Sequence, residues 1–174
     1  MYLQKDLIIL DSKFKHLSLD NEFLEKTIFS NSLDDTKKLG IKLGKNIQKE
    51  DIILLAGDLG AGKTELVRSI VEGSGSESFV RSPTFVLINN YEGPTKITHC
   101  DFYRMDENLD EEELGIEEYY EDSATLIEWP ERVKNNLPDD CLIIKIFFTE
   151  IDNQREFKFY STGNKSKALL EGIQ

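Results

Sequence analysis

Apolar positions in this chain come as short runs separated by polar and glycine-rich breaks, and the spacing inside each run predicts its element. Leu39, Leu43 and Ile47 recur every four residues, one stripe of an amphipathic helix. Ser32 followed by Asp35 stands where a capping box opens such a helix, with Asp in the place of Glu. Gly40 and Gly44 fall inside it and weaken it. Ile52, Ile53, Leu54, Leu55 and Ala56 then form an unbroken run ending at Gly57, which suits a strand covered on both faces, as in a parallel sheet. Residues 63–72 return to helical composition with Leu66, Val67 and Ile70 as the stripe, and Gly73-Ser74-Gly75-Ser76 ends them in a flexible loop. Residues 85–88 and 96–100 predict two strands joined around Glu92-Gly93-Pro94, a hairpin signal. Residues 124–127 predict another buried strand, and residues 141–148 and 155–160 a terminal hairpin around Asp152-Asn153. Residues 7–10 have the apolar character of one short strand more.

A chain of 174 residues suits one domain and buries a core without disulfides or a structural metal. Its net charge of −12 argues against nucleic-acid binding by this chain alone, which needs a basic footprint. Residues 106–122 hold ten acidic residues and no basic one, and taking those ten away leaves −2 for everything else. The segment is expected to be a solvated helical face or a docking surface for a basic partner. Cys100 and Cys141 make neither a zinc pattern nor a disulfide framework, and both sit at the edge of apolar runs as small buried hydrophobes. The apolar run at residues 7–10 is too short for a signal-peptide core, and no stretch approaches the length that spans a bilayer. The expected location is the cytoplasm.

Chemistry enters at Gly57-Asp58-Leu59-Gly60-Ala61-Gly62-Lys63-Thr64, which fits G-x-x-x-x-G-K-S/T. Gly60 and Gly62 let the backbone curl so that successive N–H groups converge on phosphate oxygens at a helix start, where the dipole favours negative charge. Lys63 is placed to reach the β- and γ-phosphates, and the Thr64 hydroxyl to ligate Mg²⁺. The four fixed positions match by chance in roughly one chain of this length in 150. The pattern between a buried strand and a helix predicts a nucleoside triphosphate site. GTPases read guanine with Asn-Lys-x-Asp, and the nearest stretch here, Asn164-Lys165-Ser166-Lys167, has Lys where the base-reading carboxylate belongs. ATP is therefore the expected nucleotide.

Mg²⁺ needs a further carboxylate, typically at the end of a neighbouring strand. Asp101 and Glu128 each end an apolar run, and both are candidates for the metal or for orienting water. His99 alternates with Asp101 and is expected to orient or pack. Thr84, in Ser82-Pro83-Thr84, is placed to sense a γ-phosphate as switch loops do. Trp129, the single tryptophan, either packs in the core or flanks the nucleotide.

Taken together, the chain resembles the TsaE family, the ATPases of bacterial tRNA threonylcarbamoyladenosine synthesis. The residues that carry the resemblance are Gly57 to Thr64, Ser82-Pro83-Thr84-Phe85, His99-Cys100-Asp101-Phe102-Tyr103-Arg104 and Ile127-Glu128-Trp129-Pro130-Glu131, with Glu113-Leu114-Gly115 similar to a helical segment. The first motif is shared by many ATPases, whereas the others in combination are specific; together they cover about residues 29–160. The resemblance implies an α/β, P-loop three-layer fold with a central parallel sheet extended by antiparallel strands. It implies residues 27–162 as the ATPase domain, residues 1–26 as an extension and residues 163–174 as a tail. It also implies weak ATP hydrolysis by a subunit that acts with TsaB and TsaD, meets tRNA only through them, and has no membrane partner. By motif, Thr64 and Glu128 would bind Mg²⁺ with Asp101 in its outer shell, Lys63 would serve the phosphates, and Glu65, Trp129, Thr36 and Arg155 would join the nucleotide contacts. Arg81 departs from the small polar residue expected before Ser82 and is expected to touch phosphate or a partner. A small-molecule kinase and a nucleotide-sensing module are the alternatives; the scattered arginines Arg68, Arg81, Arg104, Arg132 and Arg155 do not suggest a kinase lid.

Overall fold

The computed structural model describes residues 25–81, 86–105, 115–133 and 137–173. Seven strands form one sheet: β1 (Lys26–Ser30), β2 (Ile52–Gly57), β3 (Ile88–Tyr91), β4 (Ile97–Asp101), β5 (Ala124–Glu128), β6 (Leu142–Phe148) and β7 (Arg155–Ser161). Their order across the sheet is β1-β7-β6-β2-β5-β4-β3. β6, β2, β5 and β4 run parallel, and β7, β1 and β3 add to the two sides antiparallel. This is the expected central parallel sheet with antiparallel extensions.

Burial explains the unbroken apolar run of β2. Ile53 and Leu55 face one core together with α1 (Leu33–Asn46), α2 (Lys63–Gly73) and α4 (Asn164–Glu171). Ile52, Leu54 and Ala56 face a second core with Phe102, Met105, Ile116 and Val133. That second face is covered by loop residues, the single turn α3 (Glu117–Tyr120) and the 3₁₀ turn Pro130–Arg132. Among the described residues no helix is long and apolar enough to cross a membrane. Both cysteines are buried, and among the described residues neither forms a disulfide.

Ser32 caps α1 as its spacing predicts, accepting from the Asp35 N–H at 3.1 Å, while the Asp35 carboxylate reaches back to the Asn31 N–H at 3.0 Å. Gly40 and Gly44 have a use that helix propensity alone does not reveal. A Cβ at Gly40 would lie 2.3 Å from Ser69 Cβ, and one at Gly44 would lie 2.0 Å from the Ile70 carbonyl oxygen. The glycines let α1 press against α2, which carries the P-loop at its start. Gly44→Ala is therefore expected to destabilise the fold by about 3 kcal/mol, the upper end of ordinary overpacking, because the clash is with backbone. Urea unfolding of the two proteins measures it.

Three boundaries differ from the sequence reading. Of the strand expected at residues 85–88, Phe85 lies outside the described residues, and the described part begins at Ile88, because Leu87 takes a left-handed φ of 66° that is not extended backbone. Its hairpin is otherwise in register, with Ile88 opposite Cys100 and Tyr91 opposite Ile97. The boundary between residues 26 and 27 falls inside β1, whose Lys26 pairs with Phe159. Residues 163–174, expected as a tail, contain α4, which buries Leu169, Leu170 and Ile173 on the core. The Asp140 carboxylate caps that helix, accepting from the Lys165 and Ser166 N–H groups at 2.9 Å each, a contact from 25 residues away that local pattern does not contain. The strand expected at residues 7–10 and the Ser82-Pro83-Thr84-Phe85 element lie outside the described residues. So do residues 106–114 of the acidic segment; the part that follows forms α3, with Glu117 and Glu118 exposed.

Candidate functional site

β2 delivers the chain at Gly57 to the C-terminal end of the parallel strands, and α2 starts six residues later at Lys63. The connection turns through left-handed backbone at Gly60 (φ 79°) and Gly62 (φ 110°), the latter capping α2. A Cβ at either glycine would meet no atom within 4 Å, so backbone conformation rather than space requires glycine there. The first turn of α2 has no side-chain cap, and its first N–H groups have no acceptor within the helix.

Lys63 is buried, and its Nζ donates to the carbonyls of Gly57 at 2.7 Å and Asp58 at 2.9 Å. The same ammonium lies 3.9 Å from the centroid of the Trp129 ring. Burial pushes its pKa below the ordinary lysine value, while Glu128, Glu131, Asp101 and Asp58 pull it back up. Trp129 takes a left-handed φ of 59°, directly after β5. Its ring meets that of Tyr103 at 5.0 Å between centroids. The tryptophan thus packs against the second core on one side and flanks the lysine at the cleft on the other.

The parallel register brings the carboxylates together. Asp101 at the end of β4 stands opposite Glu128 at the end of β5, and Glu128 stands opposite Leu55 of β2. The Thr64 hydroxyl donates to Glu128 Oε2 at 3.0 Å. His99 Nε2 lies 2.9 Å from Glu128 Oε1, with both side chains buried. Asp101 Oδ1 accepts from the Tyr103 N–H at 3.1 Å. Lys63, Thr64, Glu65, Asp101, Glu128 and Trp129 line a cleft of about 300 Å³ together with Leu59, Gly60 and Gly62.

A second cleft, of about 480 Å³, opens on the other side of the same loop. Thr36 and Arg155 line it, joined by Glu65 and the loop residues Gly60, Ala61 and Gly62. Arg155 Nε donates to the Ala61 carbonyl at 3.2 Å, and its guanidinium lies 4.3 Å from the centre of the Phe148 ring. Thr36 Oγ1 lies 2.7 Å from Ser30 Oγ. Glu65 pairs with Arg68 and lines both clefts.

Thr84 lies outside the described residues. Arg81 is exposed beside the Phe79 ring, 5.8 Å from its centroid, and lines neither cleft. The Asn164-Lys165-Ser166-Lys167 stretch opens α4 at the far end of β2, where Lys165 pairs with Glu50, away from the P-loop. Sequence reasoning missed Tyr103 and the pull of Glu131 on Lys63. Both sit inside motifs already singled out, but only the fold sets Tyr103 against Trp129 at the cleft and brings the Glu131 charge to bear on the lysine.

The family model for the threonylcarbamoyl adenosine biosynthesis protein TsaE matches residues 30–157. The tRNA threonylcarbamoyladenosine biosynthesis protein TsaE of Bacillus subtilis is 35% identical over 142 residues, spanning 80% of this chain and 88% of the relative. That of Streptomyces coelicolor is 38% identical over 115 residues, spanning 63% of this chain and 77% of its own length. Among solved structures, the crystal structure of Bacillus subtilis YdiB superposes with a TM-score of 0.72 at 29% identity, covering 85% of this chain and 93% of that one.

Proposed function

This chain belongs to the TsaE family and so to the biosynthesis of threonylcarbamoyladenosine in tRNA, and from that premise we propose that it is the Mg²⁺-dependent ATPase of the process, working with TsaB and TsaD. The single observation that carries the nucleotide reading is the convergence of three groups on one cleft: the Lys63 ammonium, the Thr64 hydroxyl and the Glu128 carboxylate. The triphosphate lies along the loop, its anionic oxygens met by the first N–H groups of α2 and by Lys63. The adenosine end extends toward the second cleft, past Thr36 and Arg155.

The donors beside Thr64 are hard oxygens throughout, a hydroxyl and two carboxylates, which is the donor set Mg²⁺ takes. Among the described residues no three His, Cys, Asp or Glu side chains gather into a self-sufficient metal cage. That fits an ion completed by phosphate oxygens and water rather than by protein alone. Bound there, Mg²⁺ would neutralise charge on the β- and γ-phosphates. Thr64 and Glu128 hold that side of the cleft, and Asp101 reaches it from the neighbouring strand. Lys63 releases its two loop carbonyls in favour of phosphate, and Trp129 and Tyr103 screen the lysine from water.

A kinase would need cationic groups that fold over a transferred phosphoryl group, and no arginine lines the 300 Å³ cleft among the described residues. With its net charge of −12 the chain meets tRNA through its partners, in the cytoplasm where tRNA is modified. The test is reconstitution with purified TsaB and TsaD homologues, a tRNA substrate and ATP. Repeated rounds of tRNA modification should require this chain and should fail with Lys63→Ala. Equal modification with and without the chain would contradict the proposal.

A further inference from the structure

Glu128 is held from two sides, and only one of them belongs to the P-loop. Thr64 fixes Oε2, while His99, one strand away on β4, fixes Oε1 at 2.9 Å. The carboxylate accepts, so the imidazole presents an N–H at Nε2. Nδ1 is buried and has no hydrogen-bond partner among the described residues. A histidine present only to fill the core gains nothing from such an arrangement, since a buried polar atom left unpaired is unfavourable. Its one polar contact is spent on Glu128.

The ring is itself held in place. Tyr91, opposite Ile97 on β3, packs beside it with ring centroids 6.3 Å apart. The Tyr91 hydroxyl donates to the Arg81 carbonyl at 3.0 Å, which keeps the tyrosine from swinging away. The chain of contact runs from the β3 edge, through two buried rings, to one oxygen of the carboxylate that faces the cleft.

We propose that His99 is a positioning residue, whose Nε2–H bond locks Glu128 with its other oxygen turned toward Thr64 and the cleft. An unrestrained glutamate would have to be ordered at each turnover, and its oxygens would meet the developing charge less well aligned. The inference rests on the reading of the cleft as a Mg²⁺–ATP site.

Two substitutions of similar size and polarity separate positioning from packing. His99→Gln carries an amide nitrogen to the place of Nε2, whereas His99→Asn is one carbon shorter and stops near the place of Nδ1. ATP turnover in the presence of TsaB and TsaD, its Mg²⁺ requirement, and nucleotide affinity without Mg²⁺ are measured for both. His99→Asn is expected to lower kcat roughly ten- to hundredfold and to raise the Mg²⁺ needed for half-maximal activity. Its Mg²⁺-free affinity should stay at the wild-type value, and His99→Gln should recover most of the lost rate. Equal kcat and equal Mg²⁺ requirement in the two variants, whether both normal or both reduced, would overturn the positioning role alone. A wild-type chain that neither binds nor hydrolyses Mg²⁺–ATP would overturn the cleft reading and this inference with it. If His99→Asn does not fold, His99→Leu replaces it under the same criteria.

Discussion

Replacing Lys63 with methionine should abolish ATP binding while leaving the ligand-free protein as stable as the parent or more so. The two halves of this expectation have one cause. Lys63 is an ammonium taken out of water, 4% exposed, and held by two loop carbonyls and an aromatic face. Burial lowers its pKa from 10.5, so folding costs the charged form free energy. Methionine removes that penalty at similar length and loses two hydrogen bonds whose carbonyls lie on the half-buried loop. The net change should fall within about 1 kcal/mol of zero or on the stabilising side. The sign of the pH dependence follows. Between the depressed folded pKa and 10.5, the unfolded chain binds the proton that the folded chain has released, so wild-type stability climbs with pH across that window. Lys63→Met lacks that rise. With ATP at a hundred times its Kd, the wild type gains about 2.7 kcal/mol, roughly 5–10 °C in Tm for a chain of this size, and the variant gains none. Thermal unfolding with and without ATP, at several pH values, reads all of this.

Glu128→Gln should keep the fold and the nucleotide but lose hydrolysis. The carboxylate now accepts from both Thr64 and His99. A carboxamide can keep the His99 bond through its oxygen and offer its NH₂ to the Thr64 hydroxyl oxygen, so neither neighbour is stranded. What disappears is the negative charge facing the part of the cleft where we propose that Mg²⁺ binds. Phosphate release in the presence of TsaB and TsaD should fall at least about a hundredfold, while ATP affinity changes only a few-fold. Sustained turnover by the variant would instead favour a subunit that senses nucleotide without needing hydrolysis.

Much of this site was legible in the chain because its parts are local. The P-loop glycines, Lys63 and Thr64 occupy consecutive positions between a doubly buried run and an amphipathic stripe, and geometry follows from that order. Asp101 and Glu128 were visible as acids ending apolar runs, and parallel pairing of β4 and β5 then places them side by side. What escaped depends on distance along the chain. The bond between His99 and Glu128 joins residues 29 apart, and the cap of α4 comes from Asp140, 25 residues before Lys165. Gly40 and Gly44 misled for a related reason. Their intrinsic cost to a helix is a local property, whereas their contact with Ser69 and Ile70 exists only once α1 lies on α2. The stripe of Leu169 and Leu170 in α4 was short enough to pass for a tail until the sheet gave it a surface to cover.

We propose above all that the cleft between the P-loop and the ends of β4 and β5 holds Mg²⁺–ATP. The Lys63 ammonium stands 3.9 Å from the ring centre of Trp129, the single tryptophan of the chain, and on this proposal it exchanges its loop carbonyls for phosphate. The tryptophan fluorescence should be followed during titration with ATP and with GTP, each with and without Mg²⁺, in the wild type and in Lys63→Met. The expected result is a saturable change with ATP, tighter in the presence of Mg²⁺, weaker with GTP and lost in the variant. A wild type that shows no saturable response and no heat of binding, or a variant that binds ATP as well as the wild type does, would contradict it.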